Sequence, residues 1–341
     1  GNPTNRRIAL FQQALSQARC AAADVVPYID LITRRRRLSD HLSTGTLLRI
    51  ESPGEDFEVE RALLIAGADV AEQEGAPVLS SSACRNLKFD HGRILFPRQW
   101  YLGFRESLRS WARELETLDG IRLMTVPADI EVMFDKRLTH QRCVAADIPV
   151  PRSLGPVSGY EDLLTRMEEK QIERVFVKLA NSSSASGVVA LNRPSKNNTA
   201  AITSAEIVRT KGQVKLYNSL KLRCYTETSD IADLIDTLCL ETVHVEQWLP
   251  KHTLDEHGNI DLRVVVIGGK TEQFVVRQSQ TPLTNLHLGN RRGDAELLLN
   301  RLGDSRCQDV KRKSCSSDLQ SLATKVMFLN LLQNYAARTR Q

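Results

Sequence analysis

The chain has 341 residues, 41 % of them hydrophobic and 26 % charged. That is the composition of a globular protein long enough for two or three hydrophobic cores, and it excludes a disordered or fibrous chain. With 46 Lys and Arg against 41 Asp and Glu, the positive excess is too small to argue for nucleic acid, although it suits anionic substrates.

The chain opens on the turn-like run Gly1-Asn2-Pro3-Thr4-Asn5. Residues 7–19 follow as a helix, with Ile8, Leu10, Phe11 and Leu15 at three- and four-residue steps. A loop of this kind normally follows a strand. The expectation is either an initiator Met removed before Gly1 or a chain that begins one strand late. The basic run Arg34-Arg35-Arg36-Arg37 reads as a solvated helix end more readily than as a polyphosphate-binding arm. Residues 47–51 form a strand, Ser52-Pro53-Gly54 a loop, and 55–66 a helix closed by Gly67 at C′. Residues 87–96 pattern as a hairpin around Asp90-His91-Gly92. Residues 99–115 are an amphipathic helix whose Trp100, Tyr101, Phe104, Leu108 and Trp111 face a core. Strand and helix alternate, so 1–126 is a small α/β domain. Pro127 and the unpatterned 128–131 form a linker.

Phe134-Asp135-Lys136-Arg137 then opens a helix to residue 146, stopped by Asp147-Ile148-Pro149-Val150-Pro151. Helix 160–171 leads into strand 174–180, where Lys178 sits among Val175, Phe176 and Val177. A lysine in an apolar strand is costly unless it has a partner or reaches a ligand anion. The loop Asn181-Ser182-Ser183-Ser184-Ala185-Ser186-Gly187 follows. Its N–H groups and hydroxyls could wrap phosphate oxygens, while an ordinary Ser-rich turn is the plainer reading. Strand pattern resumes at 187–191. Residues 192–204 are polar and expected to be exposed. Strands 205–210 and 214–226, helix 231–240 and strand 243–247 come next. Apolar runs 262–267 and 274–276 flank Gly268-Gly269-Lys270, a hairpin signature. Glu246, Gln247, Asp261, Arg263, Arg277, Asn285 and His287 mark strand ends and the following loop, where ligand-binding groups project, although a purely structural hairpin would also place polar residues there. Helices at 295–302 and 319–335 close the chain. The seven cysteines show neither CxxC nor zinc spacing and read as reduced thiols of a cytoplasmic protein. No run is long enough to span a membrane, and no signal-peptide pattern opens the chain.

Taken in order, these signals form a series: Asp135-Lys136 before a helix ending in IPVP, the strand lysine, the Ser/Gly loop, Glu246-Gln247-Trp248-Leu249, Asp261-Leu262-Arg263, and the run NLHLGN. The series resembles the ATP-grasp superfamily, most closely its ribosomal-protein-S6 glutamate-ligase-like branch, which IDLRVVVIGGK and VVRQSQTPLTNLHLGN track closely. The opening GNPTNRR is similar to bacterial ATP-grasp proteins that begin GNPxNRR. The resemblance covers about residues 1–293. It implies an α/β (α+β) protein of ATP-grasp fold: an N-terminal Rossmann-like domain at 1–126, a central lobe at 132–248 and a C-terminal lobe at 249–341, atypical after 293.

The resemblance also implies ATP and Mg2+. Lys136 and Lys178 would reach the phosphates, with Ser183, Ser184, Ser186 and Gly187 in the loop that closes over them. Glu246, Gln247, Trp248 and Leu249 would hold adenine and ribose. Asp261 and Arg263 would flank the phosphates, Arg277 would stabilise an acyl phosphate, and Asn285 and His287 would lie near the substrate. The implied reaction is ATP-dependent ligation of a carboxylate to an amine or thiol through an acyl phosphate. Its partners would be small-molecule carboxylates and amines, or a peptide or protein terminus, with no nucleic acid and no membrane. The family's metal ligands, an Asp on one strand and a Glu-x-Asn after the next, have no counterpart after Gly293. Asp294, Glu296 and Asp304 lie in that region without the motif's context, so the metal ligands stay unassigned. The C-terminal lobe is expected to be cut short or diverged. That leaves an active ligase and a catalytically impaired nucleotide-binding protein acting through a partner, with a plain α/β structural protein whose motif matches are accidental as the third reading.

Overall fold

The computed structural model describes residues 1–302 other than Asn197, His257, Gly268 and Gly269. The expected helix at 319–335 and Asp304 lie outside the described residues, as do the two turn glycines. The chain forms two compact units: Gly1–His91 with Phe96–Val132, and Gly92–Leu95 with Met133 onward.

The first unit is mainly helical. It comprises α1 (Arg6–Gln17), α2 (Tyr28–Ile32), β1 (Leu47–Leu48), α3 (Phe57–Gln73), α4 (Ser81–Arg85), α5 (Pro97–Leu115), β2 (Arg122–Leu123) and α6 (Pro127–Met133). Side chains start several of these helices. Asn5 accepts the Arg7 N–H at 2.9 Å, and Asp56 accepts from Glu58 and Val59 at 3.0 and 3.2 Å, so otherwise orphaned donors are satisfied. Helices α3 and α5 bury Leu63, Leu64, Ala68, Leu102, Phe104 and Leu108. Tyr28 stacks on Trp111 at 5.5 Å, which gives the expected aromatic core.

Four expectations for this segment are corrected. The alternation of strand and helix is reduced to one two-residue parallel pair, β1 with β2. Gly67 does not stop a helix, because α3 runs on to Gln73. Its role is close approach: a Cβ there would lie 2.1 Å from the Gln99 carbonyl oxygen, and one on Gly103 would lie 1.9 Å from that of Leu63. Residues 87–96 are no hairpin. Gly92 and Ile94 bond instead to Asn218 and Leu216, with Arg93 bridged to Tyr217, so a distant strand edge outcompetes the local turn. The expected linker is helix α6, with Pro127 at its first position, where its missing N–H costs nothing.

The second unit begins with α7 (Lys136–Ala145) and α8 (Tyr160–Glu169). An antiparallel sheet follows, made of β3 (Arg174–Leu179), β4 (Val189–Ser195), β5 (Asn198–Thr210) and β6 (Gln213–Tyr225), then α9 (Thr228–Leu240) and β7 (Val243–Gln247). Its strand order is β6-β5-β4-β3-β7. Val175, Val177, Leu179, Val243 and Val245 bury one face beneath Leu163 and Met167 of α8 and Ile231, Leu234 and Ile235 of α9. The segment expected to be exposed, 192–204, is mostly strand. Its Thr203 and Ser204 are buried because their hydroxyls donate to the Val188 and Ala185 carbonyls at 2.8 and 2.5 Å.

A second antiparallel sheet holds β8 (Thr253–Asp255), β9 (Gly258–Ile267), β10 (Lys270–Ser279) and β11 (Arg291–Arg292), in the order β11-β10-β9-β8. Ile260, Leu262, Val264 and Val276 pack against Leu298 of α10 (Ala295–Leu302). The molecule is thus a mixed helix-and-sheet protein, as the sequence predicts. No helix among the described residues is long and apolar enough to cross a membrane.

Candidate functional site

Period-two alternation builds the site. With Val175, Val177 and Leu179 turned to the core, Phe176 and Lys178 face the other way. On β7, Val243 and Val245 turn inward and His244 and Glu246 join Phe176 and Lys178, since Phe176 pairs with Glu246 and Lys178 with His244. On the second sheet Arg277 pairs with Asp261, on the face away from Leu262 and Val276. These side chains line one cavity of about 380 Å³ within the second unit, together with Lys136 and His140 of α7, Lys251, and the stretch 282–285.

Four cations and two carboxylates meet there. Lys178 donates to Glu246, and His244 lies 3.1 Å from the other Glu246 oxygen. Arg277 grips Asp261 in a fork, Nε to Oδ1 at 2.6 Å and Nη2 to Oδ2 at 2.8 Å. Lys251 Nζ donates to the Pro282 carbonyl at 2.9 Å and to Thr284 at 2.8 Å, with Asp261 at 3.5 Å. Lys136 Nζ donates to the carbonyls of Leu179 and Ser182 at 2.9 and 2.7 Å, which ties the start of the Ser-rich loop to α7. Apolar side chains complete the lining: Phe176, Ala185, Val188 and Leu283 belong to one cluster, and Lys178 Nζ stands 5.4 Å from the centre of the Phe176 ring.

Burial and neighbouring charge show in the proton affinities. Burial, with Lys178 beside it, brings the Lys136 ammonium down to about 7. Burial also lowers Lys251 to about 8, against the attraction of Asp261 and with Arg277 and Lys178 adding to the drop. Burial opposes the charge on Glu246, but Lys178 and His244 outweigh it and hold the carboxyl at about 2. His244 is lowered, mainly by burial. The cavity holds more positive than negative formal charge, fixed in place before any ligand arrives. Such an excess of cationic side chains attracts anions.

Of the residues singled out in the sequence, Lys136, Lys178, Glu246, Asp261, Arg277 and Asn285 line this cavity. Arg263 and His287 are exposed and outside its lining. Ser183 and Ser184 are exposed, Ser186 is half-buried, and from this loop it is Ala185 that reaches the lining. Gly187 is buried with φ +63°, where a Cβ would come within 3.0 Å of Leu179 and Leu238. The Gln247 and Trp248 N–H groups donate to the Arg152 and Arg174 carbonyls. The Trp248 ring packs on Phe176 at 5.5 Å in the same apolar cluster, and Leu249 is half-buried. Sequence reading missed Lys251, Thr284, His140 and His244. The alternation Val243-His244-Val245-Glu246 carries the signal for His244; the others come from segments with no such pattern.

Among the described residues no three His, Cys, Asp or Glu side chains gather into a metal cluster. Both cavity carboxylates are already engaged by cations, and Asp294 caps α10 by accepting from Glu296 and Leu297.

No protein-family model and no curated protein matches this chain. Among solved structures it is similar to a RimK domain protein ATP-grasp from Sphaerobacter thermophilus DSM 20745, at 17 % identity over 76 % of this chain and 82 % of that one, with a TM-score of 0.30.

Proposed function

We propose that the cavity binds ATP and that the protein is an ATP-grasp-type ligase joining a carboxylate to an amine or thiol. The observation that carries the reading is the convergence of Lys136, Lys178, Lys251 and Arg277 in one cavity with the apolar Phe176, Ala185, Val188 and Leu283. Cations suit a polyphosphate, and apolar lining suits a purine. The motif order supports the same ligand, because Lys136 and Lys178 hold the places of the phosphate-binding lysines in the family that the sequence resembles.

In this reading Lys178 and Lys251 neutralise the phosphates, and Lys136 exchanges its carbonyl partners in the Ser-rich loop for phosphate oxygens. Bound ATP supplies an activated phosphoryl group for the acceptor carboxylate. Arg277 can then offer the Nη1 edge of its guanidinium to the charge that develops during transfer, while Asp261 holds the Nε and Nη2 edge. The acceptor would be a small-molecule carboxylate or the terminus of a peptide or protein, and the nucleophile an amine or thiol.

A second reading rests on the carboxylates. Glu246 and Asp261 are committed to Lys178 and Arg277, and no three-residue metal cluster forms among the described residues. A chain of that kind would bind nucleotide without turning it over and would act through a partner.

Calorimetric titration with ATP and ADP, with and without magnesium, tests both readings. Lys178→Ala should weaken ATP binding by about tenfold or more, as loss of a charge-assisted contact does, and leave the circular dichroism spectrum unchanged. Equal affinity in the variant would remove the phosphate-site assignment. Phosphate release with a carboxylate and an amine present separates the ligase from the silent binder.

A further inference from the structure

The first unit has its own cavity, larger than the one in the second unit at about 600 Å³. Ile8, Phe11, Tyr28, Leu31, Leu48 and Trp111 line it. Leu47 and Met124, also in its wall, remain 54 % and 51 % exposed. No lysine lines it, which sets it apart from the polyphosphate-type cavity. Volume and apolar lining fall within the range of small-molecule sites, which use a few placed polar groups to orient the ligand.

The placed polar group is Arg49. Its guanidinium stands 4.3 Å above the centre of the Phe11 ring and donates to Glu51 at 2.5 Å. Glu51 is shared: Arg7 lies 3.4 Å from its other oxygen, and the Ser52 N–H donates to that oxygen at 3.0 Å. Two guanidinium groups on one carboxylate leave a local surplus of one positive charge, and Arg49 is the one that lines the cavity. A guanidinium has five N–H donors, so the contact to Glu51 leaves others to meet an incoming anion. The other ionisable groups of the lining are the Tyr28 phenol, which burial pushes up, the Gly1 amino group, which burial lowers to about 5, and His41 and Asp24, which lie 4.0 Å apart, with the Asp24 side chain 85 % exposed. Its charge is therefore spent in water. An apolar chamber with a stacked arginine at one end fits an amphipathic anion.

The geometry points to a second ligand site in the first unit, selective for small organic acids with an apolar body, their carboxylate on Arg49 and their body between Phe11, Leu48 and Trp111. This inference does not depend on the nucleotide reading of the other cavity.

Decanoate and decan-1-ol, titrated into the full chain by calorimetry and by tryptophan fluorescence, test it. Decanoate should bind saturably and more tightly than the alcohol and should change Trp111 emission, an effect that Trp111→Phe removes. Arg49→Gln should weaken decanoate by about tenfold or more and leave the alcohol unchanged. Val26→Phe, which fills the cavity, should weaken both. Absence of saturable decanoate binding, equal affinity for acid and alcohol, or indifference to Arg49→Gln would each overturn the assignment. If Val26→Phe fails to fold by circular dichroism, the comparison of acid with alcohol on the unaltered chain decides.

Discussion

Lys136 is the residue whose chemistry is most altered by its surroundings. Its ordinary value of 10.5 falls to about 7, so near neutral pH it is only partly charged. A polyanion binds the protonated form and must draw a proton from solution above that value. ATP affinity should therefore fall as pH rises, by roughly tenfold between pH 7 and pH 8.5, with Lys251, at about 8, adding to the loss. Calorimetry in two buffers of different ionisation heat would register the proton uptake; pH-independent binding with no uptake would sink the assignment of Lys136 to the phosphates. Stability runs the other way. The folded chain holds this proton less tightly than the unfolded one between about 7 and 10.5, so the Lys136 contribution makes the fold more stable as pH rises through that window. For Glu246 the sign is again set by the direction of its shift. Its carboxyl is lowered to about 2 from 4.5, so its stabilisation is complete above 4.5 and disappears as pH falls towards 2.

At the scale of elements, the contact between α3 and α5 is set by two glycines. The backbones meet so closely at Gly67 and Gly103 that a methyl group would strike a carbonyl oxygen. Alanine is the better helix former by about 1 kcal/mol, yet overpacking of this kind costs typically about 1–3 kcal/mol. Here the obstacle is backbone, which cannot swing aside. Gly67→Ala should therefore destabilise the chain by about 2 kcal/mol and lower its melting temperature by several degrees. A raised melting temperature would mean that the helices can separate without penalty. A glycine at the end of an apolar run predicts a helix stop equally well by sequence, because a C′ position and a close approach both exclude Cβ. What tells them apart is the neighbouring helix, which lies more than thirty residues away along the chain. The same reason explains residues 92–95, whose turn signal is real but whose partner is β6.

At the scale of the whole molecule, each of the two units carries a cavity described above, and the two cavities differ in chemistry. Ligand stabilises the part that binds it. Saturating ATP should slow amide hydrogen exchange in β3, β7, β9 and β10 and leave α3 and α5 unchanged; equal protection of α3 and α5 would contradict a site confined to the second unit. The sequence by itself determined the elements whose stability is local. Helices at α1, α5, α9 and α10 and strands at β3 and β7 follow from apolar period, since that depends on neighbours two to four positions away. It also marked Lys178, as a charge that an apolar strand does not accept without a partner; it expected Asp261 and Arg277 at strand ends, whereas both lie inside β9 and β10. Tertiary structure alone decided which charges share a cavity. Asp261 and Arg263 lie on one face of β9 by alternation, yet only Asp261 is covered. Lys251, Thr284 and His140 come from three distant segments without a shared pattern. Proximity between such residues arises from sheet order and long-range packing, and local periodicity cannot encode it.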